Sequence, residues 1–118
     1  MGEALAGRVV LVTGSSRGIG AEIAAKAAVE GAIVAVHYHR SPEGARATLD
    51  RAAAAGAVAE AFGADLADGA QAEGLVQAVI ERFGRVDALV NNAGRTQVGP
   101  FLEIDAVDWD DVLRTDLT

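Results

Sequence analysis

Cysteine is absent from the 118 residues. That excludes a disulfide framework, a thiolate metal site and a cysteine nucleophile. Positive charge is scarce: ten basic residues stand against 17 acidic ones, for a formal net charge of −7. Such a balance argues against a nucleic-acid partner and against an acidic membrane surface. Nine of the ten basic residues are arginine, and Lys26 is the one lysine. Aromatics are few: three Phe, one Tyr and one Trp. No apolar run approaches the ~20 residues that span a bilayer. Met1 to Arg8 is too short and too polar for a signal peptide, so a soluble, cytoplasmic protein is expected. What is present is a core: 51% of the chain is apolar, enough to make disorder a poor reading. The length suggests one domain. The apolar set is dominated by 26 Ala and 14 Val. Ala favours helix and Val favours strand, so an alternation of the two is expected.

The punctuation along the chain is regular. Val9-Val10-Leu11-Val12 is a continuous apolar run ending in a Gly-rich turn from Thr13 to Gly20. Such a run reads as a strand buried on both faces, the habit of a parallel sheet. Ile19, Ile23 and Ala27 then recur every four residues, flanked by Gly20, Ala24 and Ala28, which predicts a helix with a small-residue stripe. Gly31 stops it. Ile33 to Tyr38 reads as a second buried strand. Ser41-Pro42-Glu43 opens a second helix with a cap, a first-turn proline and an acid at the positive end of the dipole. Ala45, Leu49, Ala52 and Ala53 supply its apolar side, and Gly56 ends it. Ala57 to Phe62 is a weaker third strand, and Gly63 to Gly69 a loop. Leu75, Val76, Val79, Ile80 and Phe83 mark a third helix from about Ala70 to Phe83, stopped by Gly84. Val86 to Val90 is a fourth strand, followed by the turn Asn91-Asn92-Ala93-Gly94. A last helix is expected from about Asp105, with Val107, Val112 and Leu113 as core positions. Strands joined by helical crossovers pair in parallel with right-handed connections. The fold class is therefore α/β, a Rossmann-type doubly wound sheet.

The turn after the first strand reads Thr13-Gly14-Ser15-Ser16-Arg17-Gly18-Ile19-Gly20. Bare glycines let a phosphate approach the backbone, and the helix behind offers unpaired N–H groups. No Gly-Lys-Ser/Thr follows, so this is not a Walker loop, and the spacing differs from G-x-G-x-x-G. The plain alternative is a tight turn without a ligand. Dinucleotide sites place an acid at the end of the second strand to accept from the ribose 2′-hydroxyl. Here that strand ends His37-Tyr38-His39-Arg40-Ser41 with no acid. Arg17 and Arg40, with His37 and His39 as groups able to protonate, converge where a 2′-phosphate could sit. This reads as a preference for NADP(H) over NAD(H). The alternative is that Arg40 only begins a solvated loop. His37 and His39 lie two apart on a strand and face the same way, but no third ligand accompanies them, so no metal site is expected.

At this point the residues resemble the classical branch of the short-chain dehydrogenases/reductases. Three features carry the likeness: Thr13-Gly14-x-x-x-Gly18-x-Gly20 after the first strand, Asp65-Leu66 after the third, and Asn91-Asn92-Ala93-Gly94 after the fourth. Each is modest alone, and the three in this order are specific. Arg17-Gly18-Ile19-Gly20 and Tyr38 look most like members of the 3-oxoacyl-(acyl-carrier-protein) reductase type. The resemblance covers the whole chain but only the amino-terminal half of a typical member. It implies four strands in the order 3-2-1-4, in a truncated sheet. It implies that Gly14, Gly18, Ile19 and Gly20 line the diphosphate. Ser16 and Arg17 would lie near the ribose or its phosphate, with Tyr38, His39, Arg40 and Ser41. Asp65 would accept from the adenine amino group beside Leu66, unless it caps the next helix instead. Asn91, Ala93 and Gly94 would approach the nicotinamide ribose, while Asn92 would tie the fourth strand to its neighbours.

The family's chemistry uses a Tyr-x-x-x-Lys pair and an upstream Ser. The one Tyr, Tyr38, and the one Lys, Lys26, stand in the wrong order for it. No catalytic residue is therefore assigned. Asp116 occupies the expected place of a family Asn, or else belongs to an acidic solvated helix with Asp105, Asp108, Asp110 and Asp111. The resemblance thus implies a fragment: residues 1–118 as an NAD(P)-binding Rossmann domain without a catalytic half. The intact protein would move hydride between the nicotinamide and a carbonyl/alcohol pair, as a homo-oligomer. The alternative is a non-catalytic nucleotide-binding module or partner subunit. In either case the fourth strand would be an open apolar edge.

Overall fold

The computed structural model describes residues 4–92 and the backbone of residues 102–105. The elements run β1 (Val9–Val12), α1 (Gly18–Val29), β2 (Ile33–Tyr38), α2 (Pro42–Ala54), β3 (Ala59–Gly63), α3 (Gly69–Phe83), β4 (Ala88–Asn91) and β5 (Leu102–Asp105). The strands form one sheet in the order β3-β2-β1-β4-β5, and every pair is parallel.

Alternation within an unbroken apolar run explains the layering. Val10, Val12, Val34, Val36 and Val90 face one side and bury against Ile23, Ala24 and Ala27 of α1 and Ala45 and Ala52 of α2. Val9, Leu11, Ala35 and Leu89 face the other side and bury against Leu75, Val76 and Val79 of α3. Successive strand residues point to opposite faces, so both must be apolar when helices cover both. The small stripe on α1 lets that helix lie close to the sheet: Ala24 and Ala27 have no exposed surface. Leu5, ahead of the first strand, is also fully buried; the sequence reading passed over it.

The helix ends follow local chemistry. The Ser41 hydroxyl accepts from the Gly44 N–H at 3.1 Å and caps α2, with Pro42 in the first turn. Asp68 caps α3 by accepting from the Ala70 N–H at 3.0 Å. Gly84 closes α3 in the left-handed region, φ 92°, with its N–H donating to the Ile80 carbonyl. Only glycine adopts that conformation without strain.

Two strand starts differ from the sequence reading. Ala57 donates to the Ala52 carbonyl at 3.0 Å, so it finishes α2 and β3 begins later. Val9 donates to the Asp87 carboxylate at 2.8 Å, and Asp87 donates back to the Val9 carbonyl at 2.9 Å. Asp87 is thereby a side-chain clasp on β1, and the fourth strand begins at Ala88 rather than Val86.

The larger difference is at the far edge. The order 3-2-1-4 holds, but β4 is not open: β5 pairs with it in parallel, with Leu89 opposite Glu103 and Asn91 opposite Asp105. Asp105 ends a strand instead of starting a helix. Leu102-Glu103-Ile104-Asp105 alternates apolar and acidic residues, which is a strand pattern, and an unpaired apolar strand offers a row of backbone partners for it. The expected helix positions Val107, Val112 and Leu113 lie outside the described residues.

Candidate functional site

The segment Thr13–Arg17 joins β1 to α1 at the carboxyl end of the sheet. Gly14 and Gly18 have φ of 63° and 65°, values that side chains rarely adopt. Around Gly18 a side chain would meet only open space. Arg17 stands at the N-cap of α1 in extended conformation and makes no side-chain cap. Arg17, Gly18 and Ile19 are exposed, Ile19 to 69%. The first turn of α1 carries no acid. Among the described residues, then, no capping side chain or first-turn carboxylate occupies the positive end of this helix. That is the arrangement an anion needs.

Beneath this open lip the loop is held rigidly. Gly14 donates its N–H to His37 Nδ1 at 2.8 Å. Its carbonyl accepts from Asn92 Nδ2 at 3.2 Å. A side chain at Gly20 would collide with the Gly14 carbonyl and the Asn92 amide, so Gly20 lets helix and loop touch. Ser15 is fully buried. Its hydroxyl donates to the Val12 carbonyl at 2.6 Å and accepts the His37 N–H at 2.9 Å. Its carbonyl accepts from the Thr48 hydroxyl of α2 at 2.9 Å. A side chain at Gly44, in the first turn of α2, would collide with the Ser16 carbonyl. Asn92 also donates its N–H to Thr13 Oγ1 at 3.0 Å. The loop is therefore clamped by β2, β4 and α2 together.

His37 requires a correction. The sequence reading placed it beside His39 as a group ready to protonate toward a phosphate. It is instead 3% exposed, with Nε2 at 2.9 Å from the Ala64 carbonyl. A donor at Nδ1 and an acceptor at Nε2 fix the neutral tautomer with its proton on Nε2. Burial pushes its pKa below the ordinary value and nearby His39 pushes the same way, against the opposing effect of the Ala64 hydrogen bond. The exposed basic side chains that remain are Arg40, just beyond β2, and Arg17, at the N-cap of α1, with His39 next to Arg40 in the chain.

Asp65 lies 3.8 Å from His39, carboxylate to Nε2. Its carboxylate also accepts from the Ala67 N–H at 3.0 Å, and its own N–H donates to Gln71 Oε1 at 2.8 Å. The helix-capping alternative for Asp65 falls to Asp68 instead. Tyr38 packs its ring on Gly63 and against the core on the α1 side. Leu66 is partly buried against the core on the α3 side. Asn91 ends β4, half-buried. Ala93, Gly94 and Asp116 lie outside the described residues.

Sequence reasoning missed Ser15, Thr48 and Gly44. Their signal was faint: a buried Ser within a polar turn looks the same as an exposed one, and Thr48 sits in a mostly polar stretch of α2. A groove of about 560 Å³ between β3 and α3, lined by Phe62, Gly63, Gln71 and Leu75 among others, carries no titratable group and offers no chemistry. Among the described residues no group of three metal-ligating side chains exists, and no helix is long and apolar enough to cross a membrane.

Residues 8–118 match the short chain dehydrogenase family model. The chain is 42% identical over 107 residues to the 3-oxoacyl-(acyl-carrier-protein) reductase of Staphylococcus aureus, covering 91% of this chain and 44% of the relative. Among solved structures it resembles a short chain dehydrogenase from Burkholderia cenocepacia in complex with NADP. There the identity is 41% and the TM-score 0.75, covering 98% of this chain and 48% of that one. It also resembles an NADH-dependent reductase complexed with NAD, at 38% identity and a TM-score of 0.74, covering 80% of this chain and 39% of that one. The chain thus spans less than half the length of each. Glycine turn, strand order and sequence match agree: the chain belongs to the short-chain dehydrogenase family and corresponds to the amino-terminal portion of its longer relatives.

Proposed function

We propose that residues 1–118 form one NADP(H)-binding unit of a short-chain dehydrogenase/reductase. The observation that carries this is the uncapped N-terminus of α1, opened by Gly14 and Gly18 at the carboxyl end of a parallel sheet. It lies at the point where strand order reverses between β1 and β4, where doubly wound sheets take their ligands. The residues fit a dinucleotide. Gly18, Ile19 and Gly20 receive the diphosphate on the unpaired N–H groups of the first turn of α1, and Gly14, whose N–H is taken by His37, lines the approach by lacking a side chain. Asp65 accepts from the adenine amino group beside Leu66. Asn91, with Ala93 and Gly94, borders the nicotinamide ribose.

NADP(H) is favoured over NAD(H) by charge. The end of β2 carries no acid of its own, and Arg40 beyond it and Arg17 at the N-cap of α1 are exposed in a chain whose net charge is −7; His39, next to Arg40, adds a polar ring that faces Asp65 at 3.8 Å. Ser16 and Ser41 add hydroxyls; Ser41 caps α2 through its oxygen and keeps its proton to donate. Solved relatives bind either nucleotide: one holds NADP and another NAD.

In the intact protein the bound nicotinamide supplies or accepts a hydride at a carbonyl/alcohol carbon. This chain's residues hold and orient it. Lys26 and Tyr38 do not form the proton-transferring pair, because Lys26 lies eight residues down α1 from Gly18, ~12 Å along the axis. The 118-residue chain alone therefore turns over no carbonyl substrate, and any assembly into oligomers belongs to the intact protein.

Calorimetric titration at fixed salt tests this. NADPH binds, and binds more tightly than NADH. Absence of heat with both nucleotides from folded protein would overturn the reading. Equal affinities would remove the role given to Arg17, His39 and Arg40.

A further inference from the structure

His37 joins two segments that the nucleotide reading assigns to different parts of one ligand, the central diphosphate and the adenine end. Its Nδ1 accepts from Gly14 at 2.8 Å, and its Nε2 donates to Ala64 at 2.9 Å. Gly14 opens the diphosphate loop. Ala64 immediately precedes Asp65, on the adenine side. The imidazole is buried, and its own backbone is fixed to Ser15 in both directions, N–H to Oγ at 2.9 Å and carbonyl from the Ser15 N–H at 2.9 Å. A flat ring with a nitrogen at each side is thus wedged between the two loops. Neither nitrogen is free to serve the ligand directly. Backbone bonds order both strands up to this point, and the Ala64 N–H also donates to the Tyr38 carbonyl at 3.1 Å; what the ring adds is a direct tie between Ala64 and Gly14.

We propose that His37 is a positioning residue that sets the separation of the diphosphate and adenine segments of the coenzyme site. The inference rests on the nucleotide reading above. Its physical basis is preorganisation: a dinucleotide must engage both segments at once, so any slack between them weakens binding. A ligand engaging one segment feels that slack far less.

Three substitutions dissect the bridge. His37→Asn keeps an acceptor at the position of Nδ1 but is too short to reach Ala64. His37→Gln reaches Ala64 but gives up the acceptor near Gly14. His37→Phe keeps the ring and neither bond. For a bridge, all three weaken NADPH binding, by about tenfold to a hundredfold in calorimetry. Adenosine 2′-monophosphate, which lacks the diphosphate, changes by less than about threefold. Restoration of wild-type NADPH affinity by Asn alone, or unchanged affinity in folded His37→Phe, overturns the proposal. So does an equal loss for both ligands.

Wild-type protein labelled with 15N gives a reading independent of whether the variants fold. The His37 ring shows a single Nε2–H tautomer, and the Gly14 amide exchanges slowly with solvent. The opposite tautomer, or a rapidly exchanging Gly14 amide, overturns the bridge. If the wild-type chain binds no NADPH, the nucleotide reading fails and the positioning role falls with it. If the wild type binds and the variants bind equally, the positioning role alone fails.

Discussion

Asn92 donates its side-chain amide to the Gly14 carbonyl at 3.2 Å. This one bond fastens the end of β4 to the glycine loop across the reversal point of the sheet. Asn92 is bonded to Thr13 through its backbone as well, so the side chain cannot drift. Asn92→Leu leaves the Gly14 carbonyl without that donor and costs about 1–3 kcal/mol in stability. Asn92→Asp is at least as damaging, because a carboxylate then faces a carbonyl. Urea denaturation monitored by circular dichroism measures both.

Gly20 and Gly74 are both helical, and their substitutions are expected to have opposite effects. A methyl at position 20 meets the Gly14 carbonyl and the Asn92 amide. These are fixed groups, so Gly20→Ala destabilises by about 1–3 kcal/mol and lowers nucleotide affinity. A methyl at position 74 meets nothing within 4 Å. Gly74→Ala, on the exposed side of α3, stabilises by roughly 0.5–1 kcal/mol. Thermal melts of the two variants give shifts of opposite sign.

Acid acts on the fold in two stages. His37 has a pKa below its ordinary 6.5 in the folded chain, chiefly through burial. The unfolded chain therefore binds the proton first, and stability falls as pH drops below about 6.5. Burial would raise the Asp87 pKa, but the Val9 N–H and Arg85 outweigh it and hold it below the ordinary 3.8. Its contribution is complete above that value and is lost as pH falls further. Denaturation midpoints recorded from pH 8 to pH 3 show both declines. His37→Asn abolishes the first and leaves the second.

Coenzyme choice is tested by reversing charge at the end of β2. Arg40→Asp introduces the carboxylate that this position lacks. It lowers NADPH affinity about tenfold or more through repulsion of the 2′-phosphate, and raises NADH affinity by supplying an acceptor for the 2′-hydroxyl. Arg17→Ala weakens NADPH alone. Titration of both nucleotides against both variants, at one salt concentration, checks the pair of outcomes.

The sheet was legible wherever one residue's surroundings repeat along the chain. Val9–Val12 and Ile33–Tyr38 have the observed bounds because continuous apolar runs leave little choice. Gly31, Gly56 and Gly84 marked the helix ends for the same local reason. The order 3-2-1-4 followed from the resemblance. What escaped was tertiary. Asp87 reads as a polar residue interrupting Val86 to Val90, and nothing local shows that Val9 is its partner. Leu102–Asp105 is a four-residue alternation next to a stretch that reads as helix, and pairing with β4 decides it. His37 looked like half of a cationic pair because strand periodicity places it beside His39. Only the fold brings Gly14 and Ala64 to its two nitrogens and thereby removes its charge.

The contact of Gly44 with the Ser16 carbonyl, and of Thr48 with the Ser15 carbonyl, has a reach beyond packing. It makes α2 the backstop of the glycine loop. Bulk added on that remote flank would narrow or skew the opening from behind. Variation in α2 can thus retune how the mouth grips its guest without altering a single residue on the rim.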